Sequence, residues 1–270
     1  MLEFALPALF AVLLWWFSTG LVIYLDRLPR HTFRWSLLGA TALVAVALVG
    51  LARGAADTSP AGAYMGFTCA LVLWAWLELS FYTGLVTGPR RHRCPRGCAG
   101  WAHFGHALQA SLYHELASLG LAALVVAVSW GEPNQAGLWT FLLLWALHQS
   151  ARLNVFLGVR NLDEEFLPEH LHFIAGFVTR RPMNALFPVS VTLATAAVVL
   201  LGRQAWLAEP GSTEAVGATL LTALALLGLL EHVLLMLPLS MAALWRWAPR
   251  FAEGARGRHA PEAAGPPRPL

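Results

Sequence analysis

The sequence has few charged residues, and it contains no lysine. Charged side chains make up 12% of the 270 residues and hydrophobic side chains 57%, whereas an ordinary soluble domain is roughly 25% charged. No polar stretch is long enough to form a soluble domain of its own. Lipid is therefore the expected solvent. The net charge of +3 comes from arginines near helix ends or in the C-terminal tail, which favours a role in topology and argues against nucleic-acid binding.

Cysteine is also scarce. Cys69, Cys94 and Cys98 are too few and too scattered for a disulfide framework. Cys94 and Cys98 bracket the string CPRGC in a loop that we expect in the cytoplasm, where thiols stay reduced. Two cysteines are half of a four-ligand metal site, so a structural loop is the favoured interpretation. The first apolar run lacks a basic leader and is long enough to span a membrane, so we expect no cleavable signal.

Seven long apolar stretches predict an all-α fold. Most of them exceed the roughly 18 to 20 residues needed to cross a bilayer, which indicates a polytopic integral membrane helical bundle of about seven transmembrane helices. We expect one transmembrane domain over residues 1–248 and a disordered tail over 249–270, because the tail is rich in Pro, Gly, Ala and Arg. The stretches are approximately Leu6–Leu25, Trp35–Leu51, Ala61–Val86, Phe104–Trp130, Gly137–Leu157, Leu186–Trp206 and Ala215–Trp245.

The arginines predict the orientation. With a periplasmic N-terminus and a cytoplasmic C-terminus, sixteen of the eighteen arginines fall in cytoplasmic segments or at their helix ends, and only Arg53 and Arg203 do not. This bias follows the positive-inside rule and favours an odd number of spans. The sixteen are Arg27, Arg30, Arg34, Arg90, Arg91, Arg93, Arg96, Arg152, Arg160, Arg180, Arg181, Arg246, Arg250, Arg256, Arg258 and Arg268.

Two predicted cytoplasmic segments differ from the other loops. Residues 88–101 form a compact basic loop, for which a simple topogenic signal is favoured over binding to anionic headgroups or an acidic partner. Residues 160–184 mix carboxylates, histidines and aromatics without being apolar enough to span, which is typical of an interfacial helix or a re-entrant segment. We interpret the following tryptophans as interfacial or packing residues: Trp15, Trp16, Trp74, Trp76 and Trp245.

Ionisable side chains occur inside the predicted spans. Each costs roughly 2.5 to 3.5 kcal/mol at a helix centre and therefore raises a question of function. Counted from the cytoplasmic helix ends at about 1.5 Å per residue, they lie about 12 to 20 Å deep. Four helices thus place ionisable groups in one layer, from which a bundle can build a site. They are Glu78 in the third span, His114 and Glu115 in the fourth, His148 in the fifth, and Glu231 and His232 in the seventh.

This layer has the ligand types of a carboxylate-bridged di-iron centre. The usual Glu-x-x-His spacing is absent from the spans and occurs only at Glu169 and His172, in the 160–184 segment, which could fold back over the layer. Neighbouring residues such as His114 and Glu115 point about 100° apart on a helix, so both would not naturally face one metal. The candidate metal ligands are Glu78, His114, Glu115, Glu169, His172, Glu231 and His232.

Other interpretations of the layer stay open. A single histidine can bind the magnesium of bacteriochlorophyll or a haem iron through one ring nitrogen, and the candidates are His114, His148 and His232. The layer can equally be a polar network that joins helices without a cofactor. Membrane carboxylates also serve as proton relays in transporters, but the sequence shows no inverted repeat that would support one.

Several unusual strings occur together along the chain: GPRRHRCPRGCAGW, YHELA, WGEPNQ, SARLNVFLGVRNLDEEFLP, RPMNALFPVSVT, LEH and LPLSMAALWRW. In these strings the chain resembles the photosynthetic complex assembly protein 2 family (PuhE-like) of anoxygenic phototrophic bacteria, over roughly residues 2–247. The resemblance implies a gene beside those of the reaction-centre H subunit. It also implies a location in the cell inner membrane or the intracytoplasmic photosynthetic membrane.

The resemblance implies a membrane assembly factor for the reaction centre and core light-harvesting complex, handling bacteriochlorophyll or modulating its supply. Its partners would be membrane lipid, reaction-centre or light-harvesting 1 subunits and other assembly factors. No catalytic residue is implied. The alternative is a membrane-embedded, di-iron-like oxidoreductase that acts on a pigment precursor. The resemblance adds these candidate positions: Tyr113, His114, Glu115, Asn134, Gln135, Asn154, Pro182, Met183, Asn184, Glu231 and His232.

Overall fold

The computed structural model describes residues 2–95, 97–161 and 167–237. Within these ranges the chain forms seven α-helices and short 3-10 turns, with no β-strand. The predicted all-α polytopic bundle is therefore confirmed. The helices are α1 (Leu2–Asp26), α2 (Phe33–Ala56), α3 (Pro60–Tyr82), α4 (Gly100–Ser129), α5 (Ala136–Leu157), α6 (Phe187–Leu207) and α7 (Thr213–Met236).

Six of these helices are long and apolar enough to cross a membrane, and α5 is not among them. At about 1.5 Å per residue its 22 residues extend about 33 Å, so α5 has the length but not the composition of a span. It packs against α3, α4 and α7, which gives its polar side chains protein partners. Its second half contains His148, Gln149, Ser150, Arg152 and Asn154.

Helix α3 lies at the centre of the bundle, in contact with α1, α2, α4, α5 and α7. On one side, Phe67 is fully buried in a cluster that includes Leu220 of α7. On another side, Leu73 is fully buried with Val125 of α4 and Phe141 of α5. A residue on α3 can therefore face several helices at once, which makes α3 a natural carrier of a site residue.

The helices agree with the predicted apolar stretches, with some changes in their ends. The second stretch, predicted as 35–51, belongs to a longer helix, Phe33–Ala56, and α7 ends at Met236. The part of the seventh stretch after residue 237 and the predicted tail, 249–270, lie outside the described residues. The periplasmic placement of the N-terminus stays a prediction from the arginines.

The segment 160–184 is described except for residues 162–166, and its described part contains no α-helix. An isolated bridge between Val159 and Arg180 ties it to the end of α5. His170 Nε2 donates to the Tyr82 carbonyl over 2.9 Å and ties it to the end of α3. The segment thus crosses one end of the bundle. The helical turns among its described residues are two 3-10 turns, Glu169–Leu171 and Ile174–Phe177.

Helices α3 and α5 meet closely at a pair of glycines. A Cβ on Gly137 would lie 2.9 Å from the carbonyl oxygen of Gly66, and a Cβ on Gly66 would lie 3.0 Å from the backbone nitrogen of Gly137. Backbone atoms cannot move aside as a flexible side chain can. Small residues at such contacts allow membrane helices to approach each other, and this contact sets the spacing of the two helices that carry Glu78 and His148.

We expect Gly137→Ala to lower the stability of the detergent-solubilised protein by about 1–3 kcal/mol, the usual cost of forcing extra atoms into a packed contact. The measurement is the thermal unfolding midpoint. Gly120→Ala in α4 is the matched control, because a Cβ there meets no atom within 4 Å. An equal midpoint for both variants would contradict the close packing of α3 and α5.

Candidate functional site

A cavity of about 530 Å³ lies between α1, α3, α4, α5 and α7. Its walls are mostly apolar, and Leu167, Ile174 and Phe177 of the 160–184 segment line it as well. Sites for small molecules and cofactors have volumes of roughly 300–1,000 Å³, with apolar walls and a few convergent polar groups. This cavity has both properties. Its ionisable lining residues are Asp26, Glu78, Tyr82, His114, His148, Arg152 and Glu231.

Three of these side chains, Glu78, His114 and His148, come together at the cavity. One ligand atom from each lies within 4.8 Å of the other two. His148 Nδ1 lies 3.6 Å from Glu78 Oε1, and the ring centroids of His114 and His148 are 5.7 Å apart. Three different helices, α3, α4 and α5, each contribute one group. We refer to Glu78, His114 and His148 as the inner cluster.

Two polar atoms of the inner cluster lack a hydrogen-bond partner in the described part of the chain. Glu78 Oε1 and His114 Nδ1 are buried and form no hydrogen bond there, although Oε1 lies 3.6 Å from His148 Nδ1. A buried polar group without a hydrogen bond costs about 1–3 kcal/mol, so two such atoms in one place favour a bound metal or polar ligand. Aromatic rings complete the surroundings, with Trp74 at 5.2 Å from His148 and Phe81 at 5.0 Å from His114, between ring centroids.

Glu115 follows His114 in α4 but faces α5 and not the inner cluster. Its carboxylate accepts a hydrogen bond from Gln149 Nε2 over 2.6 Å and forms an ion pair with Arg152. Adjacent residues on a helix point about 100° apart, which separates the two side chains. The structure thus gives Glu115 a pairing role between helices, and it does not bring Glu115 into the inner cluster.

His232 is fully buried, and both of its ring nitrogens have partners. Nδ1 donates to the Gly228 carbonyl over 2.7 Å, and Nε2 lies 2.9 Å from the Ser150 hydroxyl. The Ser150 oxygen also lies 2.9 Å from the Ser190 hydroxyl of α6. His232 therefore links α7 to α5 and α6, and no ring nitrogen remains for a metal or a pigment.

The remaining predicted residues are not members of the inner cluster. Glu231 lines the cavity and is near enough to His148 and Glu78 for their charges to interact. Glu169 and His172 are exposed, and His172 Nε2 donates to the Leu167 carbonyl over 3.1 Å. The Glu-x-x-His spacing aligns side chains on an α-helix, but here the chain forms a 3-10 turn over Glu169–Leu171.

His170 is the histidine of this segment that contacts the bundle. Burial lowers the pKa of His170 below its ordinary value of 6.5 and outweighs its hydrogen bond with the Tyr82 carbonyl, which raises the pKa. A neutral ring at neutral pH donates one hydrogen bond, as this contact requires. His170 therefore anchors the segment beside the cavity.

Two buried asparagines, which belong to the strings that carry the family resemblance, hold loops in place. Asn134 Nδ2 donates to the Gly54 and Asp57 carbonyls over 2.9 and 3.0 Å. Asn184 Nδ2 donates to the Asn154 and Gly158 carbonyls over 3.1 and 2.8 Å, and its Oδ1 accepts from the first backbone nitrogens around α6. These positions are structural in the described part of the chain.

Among the cavity residues that were not predicted as site residues, three have a spacing that indicates them. Trp74 precedes Glu78 by four residues, Phe81 follows it by three, and Arg152 follows His148 by four. Residues three or four apart share one face of a helix. Trp74, interpreted from sequence as an interfacial or packing residue, lines the cavity against His148.

Comparisons with known proteins give a family and a bacterial relative of this chain. Over 250 residues the chain is 35% identical to a Rhodobacter capsulatus protein described as "Uncharacterized 30.4 kDa protein in puhA 5'region", covering 90% of this chain and 89% of that protein. No solved structure matches the chain. The profile of a family described as "Protein of unknown function (DUF3623)" matches residues 1–255. Because this match spans most of the sequence, the chain belongs to the DUF3623 family.

Proposed function

We propose that this protein is a membrane assembly factor of the photosynthetic apparatus, which holds bacteriochlorophyll or a closely related chlorin in its cavity for a reaction-centre or light-harvesting subunit. The observation that carries the proposal is the inner cluster. It places a histidine, oriented by a carboxylate, on the wall of a mainly apolar cavity.

The pairing of His148 with Glu78 suits a magnesium ligand. A metal-binding histidine usually interacts through its other ring nitrogen with a carboxylate or carbonyl, which fixes the ring and raises its basicity. Here Nδ1 of His148 lies 3.6 Å from Glu78 Oε1, and Nε2 is left for a metal. The His148 side chain is 26% exposed and lines the cavity, so a ligand can reach it.

The cavity walls suit the apolar body of such a pigment. Trp15 of α1, Trp74 of α3 and Phe156 of α5 line the cavity, and aromatic rings pack well against a flat conjugated macrocycle. Arg152, which also lines the cavity, has N–H groups that can donate hydrogen bonds to carbonyl substituents.

The comparisons support the biological setting. The Rhodobacter capsulatus relative is named for its position in the puhA 5' region, and the resemblance described above implies a gene beside those of the reaction-centre H subunit. An apolar pigment made in the membrane needs a carrier that shields it from water, and a mainly apolar cavity in a membrane protein provides such shielding.

A metal-dependent oxidoreductase is the second candidate, favoured by the same three ligand types. Glu78, His114 and His148 could bind one transition metal ion, because carboxylate oxygens and imidazole nitrogens are common iron ligands. Beside the inner cluster the described residues do not assemble the second position of a di-iron centre, since Glu115 pairs with Arg152 and His232 is fully hydrogen bonded. The site therefore supports the pigment proposal better than a di-iron centre.

The first test measures pigment in protein purified from a phototrophic host in mild detergent. We expect the absorption bands of a chlorin in the wild type and at least a tenfold loss of bound pigment in His148→Leu. Glu78→Gln should weaken binding about 10- to 100-fold, the usual effect of removing the partner of a metal-binding histidine. Elemental analysis should find magnesium with the pigment.

His172→Leu is the matched control for this test, because His172 is exposed and does not line the cavity. It should keep the wild-type spectrum and the wild-type level of assembled complexes. Wild-type protein without pigment but with stoichiometric iron that is lost in Glu78→Gln would favour the oxidoreductase. Accumulation of a pigment precursor on gene deletion would also favour the oxidoreductase.

A second test separates a structural role of Glu115 from a metal-binding role. Glu115→Ala should lower the free energy of unfolding by about 1–3 kcal/mol, because the half-buried Arg152 would lose its charged partner. The double variant Glu115→Leu, Arg152→Met should recover most of that loss, since a packed apolar pair replaces the ion pair. Thermal or denaturant unfolding in detergent measures both effects. Loss of a bound metal in Glu115→Ala, with normal stability, would contradict this role.

A further inference from the structure

We propose that Cys94, Cys98, His103 and His106 form a structural zinc site where the loop after α3 meets the start of α4. We call these four residues the outer cluster. The sequence indicated only the two cysteines, which are half of a ligand set. The structure brings two histidines of α4 to the same place, and none of the four lines the cavity.

The distances between ligand atoms support this site. Sγ of Cys94 and Sγ of Cys98 lie 3.1 and 3.2 Å from His106 Nδ1, and His103 Nδ1 lies 3.3 Å from Cys94 Sγ. In tetrahedral zinc sites the Zn–S and Zn–N bonds of about 2.3 and 2.0–2.1 Å place sulfur and nitrogen about 3.5 Å apart. These three separations are shorter than this value by a few tenths of an ångström. The ligand atoms of Cys94, Cys98 and His106 all lie within 4.8 Å of one another, and His103, which contacts Cys94 Sγ, is the fourth ligand in this proposal.

The local backbone explains how the four side chains meet. His103 and His106 are three residues apart near the start of α4, so they share one face of that helix. Gly97 and Gly100 have φ of +81° and +58°, a left-handed conformation that favours glycine. These two glycines turn the chain around Cys98 so that the loop lies against the helix.

The outer cluster lies on a part of α4 that can extend beyond the hydrocarbon core. The 30 residues of α4 extend about 45 Å, about 15 Å more than the core requires. If the cytoplasmic orientation predicted from the arginines holds, zinc can reach the cluster from the cytoplasm, and the thiols stay reduced.

The donor set favours zinc over the other common metals. Two thiolates and two imidazoles are a typical tetrahedral structural set, whereas magnesium and calcium prefer oxygen ligands. The two cysteines are separated by three residues, which lies within the range of structural zinc sites. Because all four positions come from the protein, the site is closed, which indicates a structural and not a catalytic role.

Bound zinc would hold the basic loop and the 160–184 segment together at this end of the bundle. The His103 ring stacks on Phe156 at 5.4 Å and packs against Phe177 at 5.7 Å, between ring centroids. In the same loop, Arg93 packs against Gly176. Zinc at the outer cluster would therefore fix the loop, α4 and the segment that lines the cavity.

The test is the zinc content of the full chain, purified with an affinity tag that contains no histidine. We expect about one zinc ion per chain in the wild type, the stoichiometry of a single four-ligand site. Cys94→Ser, Cys98→Ser and His106→Ala should each retain less than a tenth of it. Cys69→Ser is the matched control, since Cys69 lies in α3 away from the cluster. It should retain the wild-type content.

Two measurements on the wild type cover the case in which a variant fails to fold. A maleimide reagent should modify Cys94 and Cys98 only after a chelator removes the metal. Cobalt substitution should give a sulfur-to-cobalt charge-transfer band, which the inner cluster cannot give because it has no thiolate. Absence of stoichiometric metal, immediate modification of both thiols, or cobalt binding without that band would overturn the zinc site.

Discussion

The bundle depends on the hydrogen bonds and ion pairs that the polar second half of α5 forms with other helices. Polar side chains at membrane depth are stable only where other protein groups pair with them, and α5 has five of them in about two turns. Their partners lie on four other helices, so rotation of α5 about its axis would break several contacts at once. The contacts are His148 with Glu78 of α3, Gln149 and Arg152 with Glu115 of α4, Ser150 with His232 of α7, and Asn154 with Ser190 of α6.

This constraint explains which parts of the site could be predicted from sequence. Depth along a helix follows from counting residues. Such counting put Glu78, His114 and His148 in one layer, and their ligand atoms lie within 4.8 Å of one another. The direction in which a side chain points around its helix axis depends on how that helix packs against its neighbours. The sequence of a single helix does not determine this direction. Adjacent residues thus took different roles, with His114 in the inner cluster and Glu115 paired to α5.

The fold was more predictable than the site because hydrophobic length is a local property. Each of the seven apolar stretches contains a helix, and the first six agree with their helices to within a few residues, whereas the Glu169 to His172 spacing depended on an α-helix, where the structure has a 3-10 turn. Only half of the outer cluster could be predicted from sequence. The two cysteines stand together in the string CPRGC, but His103 and His106 join them only when the loop folds onto α4. The strings on which the family resemblance rests include buried asparagines, such as Asn134 and Asn184, whose side chains hydrogen bond to loop carbonyls.

The inner and outer clusters differ in one respect that decides their chemistry. The outer cluster brings together Cys94, Cys98 and His106 with His103 beside them, so the protein can supply all four ligands of the proposed zinc, whereas the inner cluster has three ligand groups and a cavity beside them. Helix α4 carries residues of both, with His106 and His114 about 12 Å apart along its axis. The loop that supplies Cys94 and Cys98 also contacts α4 near the inner cluster, where the backbone nitrogen of His114 donates to the Thr87 carbonyl over 3.1 Å. Fixing this loop at the outer cluster therefore also restricts the position of His114 at the cavity.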